Sequence, residues 1–156
     1  MNERYAELIT TFPLFEGFTV HGAERLLDAG EVKEHTPGDV LLSEGDSATF
    51  VLLQITGTLE VFVDRDGKHI VLDQSSPGDI LGELAVLCGI TRSASVRASE
   101  ASAVLQWSAD AFRSLLLRDP SLSQRIFRQS LRTLIEKERS LIDTLVKTQG
   151  TGGVGF

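Results

Sequence analysis

Residues 82–97 read Gly-Glu-Leu-Ala-Val-Leu-Cys-Gly-Ile-Thr-Arg-Ser-Ala-Ser-Val-Arg and bring together the side chains best suited to hold a small anion. A carboxylate, Glu83, and a guanidinium, Arg92, stand nine residues apart, with a short apolar run and Gly89 between them. A backbone turn at Gly82, followed by one turn of helix through Leu84 to Leu87, would aim several N–H groups at one point, and a helix start of that kind favours anions. Gly89 lets the chain reverse, so that Arg92 faces the same point. An arginine there can grip two oxygens of a phosphate. An ionised Glu83 is an acceptor and can take a hydrogen bond from a sugar hydroxyl. Each signal is weak alone: Gly-Glu-Leu is ordinarily a capped turn, and a surface arginine is ordinarily a solvated charge. Their joint spacing on a strand-rich sequence is what points to a site.

This run resembles the phosphate-binding cassette of the cyclic nucleotide-binding domain, the ligand module of the catabolite activator proteins and of the regulatory subunits of cyclic-AMP-dependent protein kinase. In that family the residues matching Gly82, Glu83 and Arg92 hold the cyclic phosphate and the ribose 2′-hydroxyl, and Ser93 stands where a further phosphate contact is common. The resemblance extends over roughly residues 10 to 145. Phe12-Pro13-Leu14-Phe15-Glu16-Gly17-Phe18 is similar to the family's N-terminal helical lead-in, and Pro37-Gly38-Asp39 and Glu44-Gly45-Asp46 to its early barrel turns. It implies that phosphate docks on Gly82, Leu84, Ala85, Arg92 and Ser93 while Glu83 holds the 2′-hydroxyl. It also implies that the last helix caps the base, with Glu138, Thr133 or Lys137 near it; a glutamate at a solvent-facing turn is the plainer reading of Glu138. Domains of the family that prefer cyclic GMP often carry threonine directly after the cassette arginine. Ser93, less constrained in χ1 than threonine, leans the expectation to cyclic AMP over cyclic GMP.

The elements that must position these residues are legible in outline. From about residue 30 to 107 the chain runs in short β-rich stretches broken by Gly, Pro and Asp. Residues 50–55, 59–63, 69–72, 94–98 and 103–107 read as strands. Asp64-Arg65-Asp66-Gly67 is a hairpin signal. Pro37-Gly38-Asp39-Val40-Leu41 recurs as Pro77-Gly78-Asp79-Ile80-Leu81, which suits the two equivalent corners of a double-stranded jelly roll. The expected architecture is α+β, mainly β: an eight-stranded jelly-roll barrel with N-terminal helices and a C-terminal helix pair. Its parts are a helical segment (1–29), the barrel (30–107) with the cassette at 82–93, hinge and lid helices (108–147), and a flexible tail (148–156).

Ser108 is placed to cap a helix over 109–118, and Asp119-Pro120 to start a second that runs to about Lys147. Phe127, Leu131, Leu134, Glu138, Leu141 and Leu145 alternate in steps of four and three, the seam of a coiled coil. Ile126, Ile135, Ile142 and Val146 add a second stripe. Two readings stand: a helix packed on its own domain, or a homodimer contact through residues 119–147, which the double stripe favours. Glu138 is costly at such a core-facing position unless paired.

Composition narrows the function classes. A hydrophobic fraction of 42% and a charged fraction of 24% over 156 residues suit one ordinary globular domain. Twenty-two acidic against fifteen basic residues give a net charge of −7, the wrong sign for gripping a nucleic-acid backbone. A local arginine still suffices for a small phosphate, because distant charges are screened beyond about 8–10 Å. The residues after Lys147 are too few for a helix-turn-helix, so DNA is not an expected partner. Gly150, Gly152 and Gly155 match Gly-x-Gly-x-x-Gly only formally, with no strand before them. The N-terminus lacks a signal-peptide pattern and no apolar run would span a bilayer, so a cytoplasmic location with no membrane partner is expected. Cys88 cannot form an internal disulfide; it reads as a small buried space-filler, with a redox switch as the alternative.

The expectation is a cyclic nucleotide-binding regulatory module that passes occupancy to a separate effector protein. A cyclic GMP receptor and a nucleotide-independent interaction module are the alternatives. An enzyme of the metal-dependent cupin type would need histidines and a carboxylate converging in the barrel. His21, His35 and His69 are scattered, and neither catalysis nor a metal or cofactor is expected.

Overall fold

In a computed structural model, residues 2–149 are described. Three N-terminal helical pieces, α1 (Asn2–Thr10), a 3-10 turn (Pro13–Phe15) and α2 (Val20–Asp28), precede the strands. The strands are β1 (Glu31–His35), β2 (Val40–Leu42), β3 (Phe50–Thr56), β4 (Leu59–Arg65), β5 (Lys68–Ser75), β6 (Ile80–Leu81), β7 (Ser95–Ala98) and β8 (Ser102–Ser108). A short helix α3 (Glu83–Cys88) lies between β6 and β7, and α4 (Ala109–Arg118) and α5 (Pro120–Gln149) follow β8. The chain divides into two compact units at Arg118/Asp119.

The duplicated Pro-Gly-Asp segment shows how sequence becomes architecture. In both copies the aspartate carboxylate takes the N–H of the residue three back, Thr36 at 2.9 Å and Ser76 at 3.0 Å. In both, the glycine adopts a positive φ, +94° at Gly38 and +97° at Gly78, a conformation open to glycine at little cost. Each turn then stitches itself to a neighbouring strand by a reciprocal pair of bonds. Gly38 N–H donates to Ala98 O and Ala98 N–H to Asp39 O; Gly78 N–H donates to Gln54 O and Gln54 N–H to Asp79 O. The first copy thereby launches β2 along β7, and the second launches β6 along β3.

These launches belong to different sheets. The eight strands form two four-stranded antiparallel sheets, ordered β1-β8-β3-β6 and β2-β7-β4-β5. The expected jelly-roll barrel is not closed: the ladders end at sheet edges, and the two sheets meet through side chains. Leu52, Leu81 and Val104 from one sheet and Leu42, Leu59, Val96 and Ala98 from the other form the shared core, as in a sandwich. The eight strands and double-sheet topology of a jelly roll are retained.

The five strands expected from hydrophobic pattern are present with shifted ends. Asp66 (φ +52°) and Gly67 (φ +74°) turn the hairpin between β4 and β5, as the Asp-Gly pair requires. Strands β1, β2 and β6 were not individually legible. Glu-Val-Lys-Glu-His has a single strongly apolar residue, and β2 and β6 are three and two residues long, so pairing with β8, β7 and β3 creates them.

The N-terminal helices are tied to the first sheet by two side chains. Tyr5 Oη donates to Glu34 at 2.8 Å and Trp107 Nε1 donates to Leu26 O at 3.0 Å. Ser108 caps α4 through Ala111 N–H at 3.0 Å, and Asp119 caps α5 through Leu122 N–H at 3.0 Å. Helix α5 runs two residues past the expected end, to Gln149. The glycine pattern at 150–155 lies outside the described residues. Among the described residues no helix is long and apolar enough to cross a membrane.

The Asp39 carboxyl is held below the ordinary carboxylate range, chiefly by Thr36 N–H, against a smaller opposing effect of burial, with His35 adding. A group whose folded pKa is depressed contributes stability that is present above its unfolded pKa, about 3.9, and is lost as pH falls through the folded value. The Asp39→Ala variant should therefore show a shallower loss of melting temperature below about pH 4 than the parent. Circular-dichroism melts across that range check it; parallel slopes would contradict it.

Candidate functional site

The site is built where β6 ends and the chain must turn into α3. Gly82 takes a left-handed conformation (φ +79°, ψ 7°) at the N-cap, with no side chain capping the helix. The first-turn N–H groups of α3 are thus presented by backbone alone. Gly89 closes the helix in a second left-handed conformation (φ +67°), its N–H bonded to Ala85 O. Both glycines serve the expected purpose: one starts the turn, the other reverses it.

Arg92 comes back onto that turn. Its Nη1 donates to Gly82 O at 2.7 Å and its Nη2 to Phe50 O at 2.5 Å, with the guanidinium carbon 5.1 Å from the Phe50 ring centroid. The residue is 4% exposed. Burial pushes the guanidinium pKa below its ordinary value, opposed by the negative charges of Glu83 and Asp46. These two neutral carbonyl partners leave its formal charge uncompensated by them, and a guanidinium has five N–H groups, so they do not exhaust its donors.

The approach of Arg92 to Gly82 demands glycine. A Cβ on residue 82 would lie 2.4 Å from Arg92 Nη1 and 3.1 Å from its central carbon. Positive φ and close approach coincide at this one residue, two independent reasons for the same side-chain absence.

The backbone of Arg92 is clasped from the other side. Arg92 N–H donates to Asp46 O and Gly45 N–H donates to Arg92 O, both at 2.9 Å. Glu44 N–H donates to Ser95 Oγ at 2.9 Å. Glu44 also accepts both terminal nitrogens of Arg65, at 2.9 and 2.6 Å, which anchors this turn to the β4–β5 hairpin. The Glu44-Gly45-Asp46 segment, legible only as a turn, is thus a positioning element for Arg92.

The expected site residues separate into a cluster and an outlier. Gly82, Glu83, Leu84, Ala85, Arg92 and Ser93 belong to one local structure; Glu83 and Ala85 are buried, Leu84 is half-buried and Ser93 is exposed. Glu138 lies on α5, in the other compact unit, and is exposed. Cys88 is corrected: it ends α3 exposed, because the turn at Gly89 directs the last helical residue outward. Phe50 was missed as a site residue, its aromatic ring having read only as the start of a strand. Asp46 was missed as a charge near Arg92. Among the described residues no group of three or more His, Cys, Asp or Glu side chains could hold a metal.

A model of the cyclic nucleotide-binding domain matches residues 32–119, which run from the second residue of β1 through α4 and contain the whole cassette. The chain belongs to the cyclic nucleotide-binding domain family. The cAMP-dependent protein kinase regulatory subunit of Colletotrichum orbiculare is 29% identical over 133 residues, 85% of this chain and 34% of that one. The chain spans about a third or less of the length of the first curated relatives it matches. A cyclic nucleotide-binding domain from Methylobacillus flagellatus is 27% identical with a TM-score of 0.71, covering 99% of this chain and 85% of that one. The regulatory subunit of a cAMP-independent protein kinase A from Trypanosoma brucei, 23% identical, covers 90% of this chain and 51% of that one with a TM-score of 0.72, and shares the fold.

Substituting Gly82 in this cyclic nucleotide-binding domain should displace Arg92 before it unfolds the chain. Left-handed backbone costs an alanine about 1–2 kcal/mol, and the added Cβ meets the guanidinium, which can swing aside. Gly82→Ala is expected to fold with a lowered melting temperature and to lose cyclic nucleotide affinity, measured by calorimetry alongside a thermal melt. Unchanged affinity would show that the Gly82–Arg92 contact is irrelevant to the site.

Proposed function

We propose that the chain binds cyclic AMP in preference to cyclic GMP through the 82–93 cassette and passes occupancy to a separate effector protein. The observation that carries this reading is Arg92: a guanidinium 4% exposed, set by two carbonyls against the glycine turn that opens α3. A desolvated cation beside uncapped helix N–H groups favours an incoming phosphate, whose oxygens add charge-assisted bonds. In this reading the phosphate docks on Gly82, Leu84, Ala85, Arg92 and Ser93, and Glu83 accepts from the ribose 2′-hydroxyl. At 4% exposure the fork is reached through local movement of the turn, so binding and rearrangement are coupled. Arg113 of α4 donates to Val86 O of α3 at 3.3 Å, which gives a shift of α3 a direct mechanical link to α4. The ligand must bind the rearranged form more tightly than the resting one for that link to carry a signal.

Exposed Ser93 supports the cyclic AMP preference, since serine is less committed than threonine to one χ1 that bridges phosphate and a guanine amino group. The reading includes neither DNA nor catalysis; the net charge of −7 disfavours a nucleic-acid backbone as partner. A nucleotide-independent module is the second reading. It draws on the turning of Arg92 onto two carbonyls.

Arg92→Leu should weaken cyclic AMP binding by roughly 2–5 kcal/mol, the cost of truncating one partner of a desolvated charge pair. At about 1.4 kcal/mol per tenfold, that is roughly thirtyfold or more. Arg92→Lys keeps the charge without the fork and should fall between. Glu83→Ala should lose less affinity and should erase the preference for cyclic AMP over its 2′-deoxy analogue. Calorimetric titration of these variants decides the matter: no heat of binding in the parent protein favours the nucleotide-independent reading, and parent-like affinity in Arg92→Leu removes the cassette assignment.

A further inference from the structure

The β4–β5 hairpin overhangs the sheet that carries it. The ladder between β4 and β7 stops at Phe62↔Ser95, while β4 and β5 stay paired as far as Arg65↔Lys68. Beyond Phe62 the tip therefore has no third strand beside it among the described residues. A two-stranded hairpin alone is marginal in water, so side chains must fix this tip. On one face His69 does so: its ring nitrogens lie 3.1 Å from Glu60 and 3.2 Å from Asp64, and its ring centroid is 4.4 Å from that of Phe62. Glu60 is in turn bonded to Arg97 of β7 at 2.8 Å. Successive side chains of a strand point to opposite faces, and Arg65, next to Asp64, serves the other face.

Arg65 places its guanidinium fork on Glu44, and its Nη1 also donates to Asp64 O at 2.9 Å, which fixes the orientation of the fork. These bonds are the chief reason that the Glu44 carboxyl is held below the ordinary carboxylate range, against a smaller opposing effect of burial. The Arg65 and Glu44 side chains are 54% and 30% exposed. An ion pair that open to water is ordinarily worth little, the bidentate guanidinium–carboxylate pair being the exception. Its place in the chain gives it leverage. Glu44 N–H is held by Ser95 Oγ, Gly45 N–H donates to Arg92 O, and Asp46 O receives Arg92 N–H. The path from Arg65 to Arg92 thus runs through the ion pair and the clasp of the residues that follow Glu44.

We infer that Arg65 is a positioning residue for the anion site: by gripping Glu44 it stiffens the turn that clasps the Arg92 backbone, so the hairpin tip sets the affinity of the cassette. The first sheet supplies Phe50 and the strand leading to Gly82, and the second sheet, through Arg65, holds the arginine that meets them. The inference rests on the reading that the cassette binds a cyclic nucleotide, but the stiffening of the clasp is measurable without one. A direct effect of charge on the phosphate is distinguishable by its sign. Arg65 and Glu44 carry opposite charges, so attraction through space would make loss of the first weaken binding and loss of the second strengthen it. Loss of the clasp weakens binding in both cases.

Calorimetric titration of the full chain with cyclic AMP should show Arg65→Ala and Glu44→Gln each weakening binding, by about three- to fivefold. The double variant should be no weaker than either single one, because both remove the same contact. Lys68→Ala, which removes an equal charge from the same hairpin tip, should bind as the parent does. Opposite signs for the two single variants would reduce the pair to a through-space charge effect and overturn the inference, as would parent affinity in both. In the ligand-free protein, NMR should find the Gly45 and Arg92 N–H groups exchanging with solvent about three- to fivefold faster in Arg65→Ala, with Gln54 N–H in the second Pro-Gly-Asp corner at the parent rate. Unaltered exchange at Gly45 and Arg92 would overturn the inference whatever the titration gave. A parent that gives no heat with cyclic AMP would sink the nucleotide reading instead, and the exchange rates would then decide the clasp alone.

Discussion

The site depends on one close approach, the guanidinium of Arg92 against the backbone of Gly82. Several otherwise unrelated features follow from it. Residue 82 must lack a side chain, and the same residue must adopt a left-handed conformation to open α3 without a cap. Phe50 must begin β3 with its ring beneath the cation and its carbonyl turned toward it. The Glu44-Gly45-Asp46 turn must hold the backbone of Arg92 from the other side. A cation taken out of water is expensive unless its donors are met, and here two of them are met by the carbonyls of Gly82 and Phe50, which the first sheet places. Removing any one of these supports would leave the charge either exposed or unsatisfied.

That arrangement explains how a domain with a net charge of −7 can present an anion site. The formal charge is spread over the surface, where water and salt screen it, while Arg92 acts from a nearly buried position where screening is weak. Asp46 and Glu83 do not cancel this. They stabilise the charged state of a guanidinium that burial alone would disfavour, and so keep it available. Local geometry outweighs global charge because the interaction operates over a few ångströms.

The two Pro-Gly-Asp corners provide the rigid frame on which this happens. Each ties the start of one short strand to a strand of its sheet through a reciprocal pair of backbone bonds. The second corner delivers β6, and therefore Gly82, to a fixed place beside β3, which also carries Phe50. The buried Gln54 amide reinforces the same corner, donating to Gly57 O and Ser75 O and accepting from the Ser75 hydroxyl. A satisfied polar network of that kind holds a turn in one geometry.

The sequence by itself determined those properties that depend on local spacing. The Gly82–Arg92 cassette, the Asp-Gly hairpin, the caps at Ser108 and Asp119 and the repeat of the Pro-Gly-Asp turn act over a few bonds, and their residue types carry the physical reason with them. The family followed from the same spacing. The tertiary structure alone decided what depends on distant segments meeting. Strands as short as β6 exist only because β3 pairs with them, and the two sheets stay separate because their ladders end where the strand register runs out. Phe50 reaches Arg92 from forty-two residues away in the chain, and no local pattern marks that contact. Cys88 was misjudged for the same reason: whether a side chain is buried is a property of what lies across from it, and the residues across from it are set by the fold.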